Sequence, residues 1–439
     1  MAGPAHADTP VSAHAMVHTC CTPVAEKERI FSEAKDLGAA YIRVDVEMNS
    51  VFERPDGGKR ATPNWGELDE VVALSKKYEL PVLGILLGPP RFTSACPERP
   101  DPSHCPAADT GEFGSLAGQI AEHTRGTIGH WEILNEPDGA WAFDGTPEQY
   151  ARMLSAAYDG IKAKAPGDRV VLGGLMRPND PSWLEQVFAT PGADALHKFD
   201  VANIHLRGPV DMVVHRYVEF RAWLAGRGFH GPLWVTEHGY AADAAFQTDP
   251  AYKGGDPSQA AYLTQTLVGM GEVGADQVFV TLRDDLVPGP YASEGLEHID
   301  ETPGSDYPVT RRASFGAVKR VIDDWDLLMM WRGQQRDNER DERLEQAKAV
   351  VWKSEARTAR AQFREARMVV RRQQEDLARR GRSPRAAARL TTRLERSRAL
   401  LAGRRIVLLL RGALAGWHSQ RAQDHAGAVA LLEKQIAGG

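Results

Sequence analysis

The 439-residue sequence predicts an α/β fold, eight strands each followed by a helix, with an all-α tail behind it. Three observations predict it. Short apolar runs alternate with amphipathic stretches as far as about residue 325. Those runs are nearly continuous in apolar residues, as strands buried on both faces must be. After Trp325 the pattern changes: residues 335–380 contain almost no Gly or Pro and are rich in Arg, Glu, Gln and Ala. Eight strand–helix pairs are the count of a (β/α)8 TIM barrel. An open doubly wound sheet would usually carry a Gly-rich phosphate loop after its first strand, and "HTCCTPVAEKE" is not one.

In chain order the strands are "MVHT" (16–19), "AYIRVDVE" (40–47), "PVLGILL" (81–87), "HWEILN" (130–135), "VVLGG" (170–174), "VANIHL" (201–206), "LWVTE" (233–237) and "QVFVTL" (277–282). Helices are predicted over 25–37, 65–78, 113–124, 147–164, 183–190, 211–227, 256–272 and 311–324. Start signals support several of them. Asp256-Pro257-Ser258-Gln259 offers a capping Asp, Pro at the first helical position and Gln three residues after the cap. In the tail, one long helix is expected over 335–380, a break at "RRGRSPR" (379–385), and further helix over about 385–402 and 404–436. That pattern reads as a helical hairpin or a coiled-coil-like tail. The domain order is then a residual leader over 1–11, a barrel over 12–325 and a basic helical domain over 326–439.

The net charge of −6 conceals a split. Residues 326–439 hold 25 Lys and Arg against 13 Asp and Glu, a formal +12, and residues 1–325 hold 28 against 46, a formal −18. Such a tail meets an anionic surface, self-associates, or is a solvated helical face. Nucleic acid is not expected as a partner, because aromatic rings are scarce in the tail and Glu is interspersed. No run approaches the ~18 apolar residues of a transmembrane segment, and "IVLLL" (406–410) is short and flanked by arginines.

The start "MAGPAHADTP" resembles the end of a secretory signal, with Ala5-His6-Ala7 as a small-x-small cleavage site, so a secreted or cell-envelope location is expected. An exported protein makes a bridge between Cys96 and Cys105, within one Pro-rich stretch, credible. Cys20 and Cys21 stay open between free and bridged. No metal is suggested, since neither CxxC nor HxxxH spacing occurs around the cysteines.

In a barrel of this kind, residues at the C-terminal ends of the strands line the mouth. The fourth strand runs into Asn135-Glu136-Pro137 and the seventh into Glu237-His238-Gly239, so two carboxylates face each other across the barrel. Paired carboxylates are the equipment of glycoside hydrolysis. With the "NEP" of strand four, the "TEHG" of strand seven and the Arg-containing "YIRVD" of strand two, residues 12–325 resemble clan A of the retaining glycoside hydrolases, most closely families 39 and 5. The resemblance implies Glu136 as acid/base and Glu237 as nucleophile. It implies Asn135 on the sugar 2-hydroxyl, Arg43 beside Glu237, and His205 at the sugar or the nucleophile. The substrate implied is a poly- or oligosaccharide, with no cofactor and no metal.

Other readings stand beside these. Arg43 could pair with Asp45, His205 could be a satisfied core histidine, and Trp131 receives no role. Trp141, Phe143, Tyr240 and Tyr291 are sugar platforms or loop anchors. The strand-eight Trp common in the clan is missing here: "VFVTLRDDL" supplies Arg283, Asp284 and Asp285, which implies polar contacts to the sugar at the cleavage point. The rival function is a catalytically silent carbohydrate-binding or scaffold protein on the same barrel. A lyase or isomerase would normally show a metal or phosphate site, and none is seen.

Overall fold

Eight parallel strands close on themselves in the computed structural model, which describes residues 9–53, 61–99, 101–284, 289–299, 309–380 and scattered positions between 388 and 423. They are β1 (Val11–His18), β2 (Ile42–Glu47), β3 (Val82–Leu87), β4 (Ile128–Ile133), β5 (Arg169–Val171), β6 (Ala202–Leu206), β7 (Leu233–His238) and β8 (Gln277–Thr281). The hydrogen-bonded order is β5-β4-β3-β2-β1-β8-β7-β6. The seam between β5 and β6 closes through parallel bridges at Val171–Val201 and Leu175–Ile204, with the His205 amide donating to the Leu175 carbonyl at 2.8 Å. The architecture is therefore the (β/α)8 barrel.

The strands are followed in turn by α1 (Val24–Leu37), α2 (Gly66–Tyr78), α3 (Thr110–His123), α4 (Pro147–Lys164), α5 (Ser182–Phe188), α6 (Val210–Ala225), α7 (Asp256–Glu272) and α8 (Ala313–Asp323). Local chemistry explains their ends. The Thr146 hydroxyl accepts from the Gln149 amide while the Gln149 side chain accepts from the Thr146 amide, with Pro147 at the first helical position. Two orphan donors are thereby satisfied at the start of α4. Where α3 crosses α4, Gly114 and Gly160 bring the two backbones together, and a Cβ on either would collide with the facing carbonyl.

The core has two layers. Between strands and helices lies a continuous cluster that includes Phe31, Trp131, Tyr150 and Tyr262. Inside the barrel, Leu83, Val171, Val201, Trp234 and Phe279 pack with the half-buried Tyr41, and His130 stacks on Trp234 at 5.0 Å between centroids. This plug fills the barrel below the level of the mouth. Each such ring or aliphatic side chain contributes roughly 1.5–3 kcal/mol on burial.

Two departures from the sequence reading concern the ends of the barrel. The first strand begins at Val11 rather than Met16, and Val11 pairs with Val278, so the strand starts within the segment read as a leader. The polar residues hiding it point inward. The Ser12 hydroxyl donates to Gln277 Oε1 at 2.8 Å, and His14 is buried beneath the mouth. The tail helix, α9 (Trp325–Arg380), starts ten residues before its expected position at 335.

The chain divides into compact units at Met1–Leu328 and Met329–Gly439. The proposed cleavage site at Ala5-His6-Ala7, Asp285, the "IVLLL" run and most of the segment expected to be helical after 404 lie outside the described residues. No described helix is long and apolar enough to cross a membrane.

Candidate active site

The end of β4 answers why strand-forming residues stop at Asn135-Glu136-Pro137. Leu134 and Glu136 both adopt positive φ, 63° and 43°, a left-handed conformation that side-chain-bearing residues avoid. Each costs of order 1 kcal/mol or more and persists only where the surroundings dictate it. Those surroundings are visible. The Tyr150 hydroxyl donates to the Ile133 carbonyl at 3.2 Å and accepts from the Gly173 amide at 2.9 Å. The Asp138 carboxylate accepts from the amides of Met176 and Arg177, both at 2.9 Å, which ties the β4 loop to the β5 loop. The alternating strand is thus broken at a chosen place, and Glu136 is turned into the mouth.

Glu237 arrives at the end of β7. One oxygen of Glu237, one of Glu136 and a ring nitrogen of His205 all lie within 4.8 Å of one another. The two carboxylates have different neighbours. Arg43 Nη1 donates to Glu237 Oε1 at 2.8 Å and Arg207 Nη2 donates to Oε2 at 3.2 Å, while His14 Nε2 lies 3.9 Å from Oε1. Burial by itself would raise the Glu237 pKa, but the His205 ring beside it and the guanidinium charges of Arg43 and Arg207 outweigh it and hold the carboxyl well below the ordinary carboxylate range. His14, pushed down to about 3 chiefly by burial, is a neutral ring at working pH.

Arg43 organises this side of the site. It is fully buried and makes a forked pair with Glu132, Nε to Oε2 and Nη2 to Oε1 at 2.9 Å each. Its Nη2 also donates to Asn135 Oδ1 at 2.8 Å, which leaves the Asn135 amide NH2 as the donor toward the cleft it lines. Burial opposes the Arg43 charge, and Glu132 and Glu237 overcome it, so its pKa is raised. Arg43 therefore pairs with Glu132 and Glu237 rather than Asp45.

Glu136 instead meets His205, with Nδ1 to Oε1 at 2.7 Å. The direction of that bond follows from the next ones. The Thr236 hydroxyl donates to Asn203 Oδ1 at 2.9 Å, and the Thr236 amide donates to the same oxygen at 3.3 Å. The hydroxyl must then accept from His205 Nε2–H, 3.1 Å away. A neutral His205 carries its one proton on Nε2, and Nδ1 is a lone pair. The contact with Glu136 thus contains a proton that belongs either to the carboxyl or to an imidazolium. Gly174 makes room for the ring, since a Cβ there would run into it. His205 is a member of the site, with Nδ1 also 3.6 Å from Glu237 Oε2.

The cluster of Glu136, His205 and Glu237 could also hold a metal ion by its donor set. Both oxygens of Glu237 are already engaged by guanidinium groups, however. A dication would have to displace two charge-assisted hydrogen bonds.

Several expected contacts fall elsewhere. Tyr240 is buried, stacked on Tyr262 at 3.8 Å, and its hydroxyl donates to the Tyr252 carbonyl at 3.0 Å, so it anchors a loop and offers no face to a sugar. Phe143 is likewise buried against Tyr150. Arg283 turns back to Glu26 and Glu33 of α1 and to Glu297, and Asp284 holds Arg312 in a forked pair. Both are structural ion pairs rather than sugar contacts. Trp141 and Tyr291 remain exposed, at 58% and 46%. Trp141 lines a cleft of about 140 Å³ with Asn135, Glu237, Asp45 and His18, and Tyr291 lies under the Arg207 guanidinium at 4.8 Å.

Five site residues were not anticipated: His14, Glu132, Thr236, Arg207 and Glu294, the last of which accepts from Arg207 Nε at 3.0 Å. Glu132 had a signal, a charged residue inside an apolar strand with an Arg inside the strand two places away in the sheet. The cysteines pair as Cys96–Cys105 and as the adjacent Cys20–Cys21. The first bridge closes the loop that brings Ser103 and His104 to the cleft.

No family model matches the chain, and no curated protein does. Solved structures do. A family 39 glycoside hydrolase from the gut symbiont Bacteroides cellulosilyticus WH2 superposes with a TM-score of 0.54 at 17% identity, over 71% of this chain and 63% of that one. A glucosidase from Croceicoccus marinus gives 0.50 at 19% identity, over 67% of this chain and 63% of that one. An exo-beta-1,4-mannosidase from Opitutaceae bacterium strain TAV5 gives 0.52 at 15% identity, over 75% and 63%. The chain thus spans less than two thirds of the length of each. At these identities the likeness is one of fold.

Proposed function

We propose that the protein is a retaining glycoside hydrolase of the clan A type, cleaving β-type O-glycosidic bonds of a poly- or oligosaccharide by double displacement. The observation that carries this reading is the pair Glu136 and Glu237, with oxygens within 4.8 Å of each other and different neighbours, a histidine for Glu136 and two arginines for Glu237. A close pair suits direct attack by one carboxylate, whereas inversion needs room for a water between them. The activities in the names of the fold neighbours, a glucosidase and a mannosidase among them, agree with it.

In the first step the ionised Glu237 attacks the anomeric carbon while the proton shared by Glu136 and His205 passes to the leaving oxygen. A glycosyl ester forms on Glu237, and the aglycone leaves as an alcohol. In the second step Glu136 takes a proton from water, which attacks the anomeric carbon, and the ester bond breaks. Asn135 donates to the 2-hydroxyl, a contact that tightens as oxocarbenium character develops. Arg43 and Arg207 keep Glu237 anionic until it reacts. Trp141 and Tyr291 supply the exposed rings at the rim. The two disulfides suit an oxidising compartment, in keeping with a secreted or envelope-associated enzyme. The helical tail is accessory to catalysis and serves attachment or self-association.

The test is reducing-sugar release from a panel of plant, microbial and cell-wall polysaccharides by wild type, Glu237→Gln and Glu136→Gln. Cleavage by the wild type that both variants lose supports the pair and identifies the substrate. Cleavage that survives both substitutions overturns the assignment, and binding without turnover by the wild type moves the protein to the scaffold class.

A further inference from the structure

The long helix α9 carries a feature that the catalytic reading leaves unused. Between residues 353 and 371 every basic residue, Lys353, Arg357, Arg360, Arg364, Arg367 and Arg371, falls on a single 4-3-4-3-4 spacing. Both acids of that segment, Glu355 and Glu365, fall off it. Alternating steps of four and three keep side chains on one face of a helix. All six are exposed.

A different face of the same helix is covered. Ala359, Ala366 and Val370 are buried there, as is Leu394 of the following helical segment, whose Arg404 donates from Nη1 to the Gln362 carbonyl at 2.8 Å; the stripe's own line is covered only one turn before Lys353, at Ala349. The basic face therefore lies outside the hairpin's own packing. Among the described residues, the first five of the six have no ion-pair partner, and Arg371 meets Glu375 at 3.4 Å. Like charges three and four residues apart weaken a helix. A stripe of six, with its acids placed elsewhere, thus works against the stability of α9 until an anion lies along it.

We propose that this stripe is a docking surface for a linear acidic polysaccharide, a polyuronate-type chain. Successive cations rise about 5 Å apart along a straight line of about 27 Å. That geometry suits an extended chain with regularly spaced carboxylates, which guanidinium groups bind in a fork. Duplex DNA presents a phosphate about every 3.4 Å per strand, wound around a groove. Single-stranded nucleic acid is usually held by stacking on interleaved aromatic rings, and no aromatic residue occupies a stripe position. The choice of a sugar acid also rests on the glycosidase reading, whereas the existence of an anion-binding stripe does not.

The experiment uses the full chain. Binding to polygalacturonate is measured by affinity electrophoresis and calorimetry at 50 and 200 mM NaCl, for wild type and for Arg357→Gln/Arg360→Gln/Arg364→Gln/Arg367→Gln. The wild type is expected to bind polygalacturonate and not dextran. The four-Gln variant should bind roughly 30-fold or more weakly at 50 mM salt, with a salt slope lower by about 3 and unchanged far-ultraviolet circular dichroism. The same four positions changed to Lys should bind with an affinity between those of the wild type and the four-Gln variant, since the charge is kept and the guanidinium fork is lost. Glu237→Gln, silent as a hydrolase, should bind as the wild type does, so failure of the stripe and failure of the glycosidase reading are separable. The proposal is overturned if the wild type ignores polygalacturonate, if the four-Gln variant binds equally well, or if the Lys variant loses as much as the Gln variant. Tighter binding to poly-dT or to phosphatidylserine vesicles at the same salt also overturns it.

Discussion

The ends of β4 and β7 perform one task by opposite means. Each delivers a glutamate to the mouth. Glu237 is reached along a strand that runs on to His238 with ordinary φ angles but slips register against both neighbours after Val235, and it is held between Arg43 at 2.8 Å and Arg207 at 3.2 Å. Glu136 is reached through two left-handed residues and is bonded to His205 at 2.7 Å. The difference teaches that position alone does not assign a role. Permanent cations fix one carboxylate as an anion, while a titratable ring makes the other a member of a proton-sharing pair.

The largest effect should come from exchanging these roles for neutral amides. Glu237→Gln removes the proposed nucleophile and is expected to lower kcat by about 10^5-fold for every substrate. Glu136→Gln removes the proposed acid, worth about 10^2–10^4-fold, but only where the leaving group needs a proton. Aryl glycosides with acidic phenols as leaving groups should form the glycosyl-enzyme at near wild-type rates in Glu136→Gln, visible as a burst. Equal losses across leaving groups in both variants would erase the distinction between the two strand ends.

Next in size is Arg43→Leu. It strips one side of a buried set in which Glu132, with no exposure, and Glu237 would remain charged. Breaking a buried pair in this way costs roughly 3–5 kcal/mol, measured as a shift in the denaturation midpoint of the barrel. Activity should fall with it, because Asn135 loses the guanidinium that orients its amide. A variant of unchanged stability would show that the cation is not what fixes Glu237.

Arg207→Gln should act more gently, and through pH. The Glu237 pKa is depressed in the folded protein, so the anion is present above it and is lost as pH falls through it. Removing one of its cations raises that threshold. The acid limb of kcat/KM should therefore move to higher pH, by about one unit for an opposite charge at this range, with the plateau largely kept. A limb that stays in place assigns the control of Glu237 to Arg43 alone.

How much of this was legible in the sequence depends on how far apart the partners lie. Helix α4, 147–164, and α7, 256–272, were readable to the residue because the amphipathic runs and the prolines that open them are local, although the expected Asp256 cap does not form: the helix begins at Asp256 itself, and Gly255 holds the cap position with no side-chain hydrogen bond. Glu136 and Glu237 were readable because a carboxylate that ends an apolar run is a local signal too. The first strand was not, since Ser12 and His14 break the apolar pattern and are satisfied by Gln277 and the Glu237 site, more than 200 positions away. Glu132 lies three residues before the Asn135-Glu136-Pro137 motif, and its partner Arg43 is two strands away in the sheet. Tyr240 was misplaced for a related reason: whether a ring stacks on a sugar or on Tyr262 is decided by a helix that follows it in the chain.

The smallest change, Thr236→Val, tests the proton-sharing half of the comparison directly. Valine keeps the shape and removes the hydroxyl, so His205 Nε2–H loses its acceptor at 3.1 Å in a fully buried place. Leaving that donor unsatisfied costs about 1–3 kcal/mol, and the ring escapes the penalty by moving its proton to Nδ1. There it donates to Glu136, whose carboxylate must then be ionised to accept it. The acid is disarmed without being touched. Turnover of substrates with alkyl leaving groups should drop about tenfold, while activated aryl glycosides should be spared. Nitrogen-15 spectra of the histidines should show the His205 proton on Nε2 in the wild type and on Nδ1 in the variant. If the proton stays on Nε2 and the leaving-group dependence is unchanged, Thr236 does not set the tautomer. The asymmetry between the two strand ends would then rest on the arginines alone.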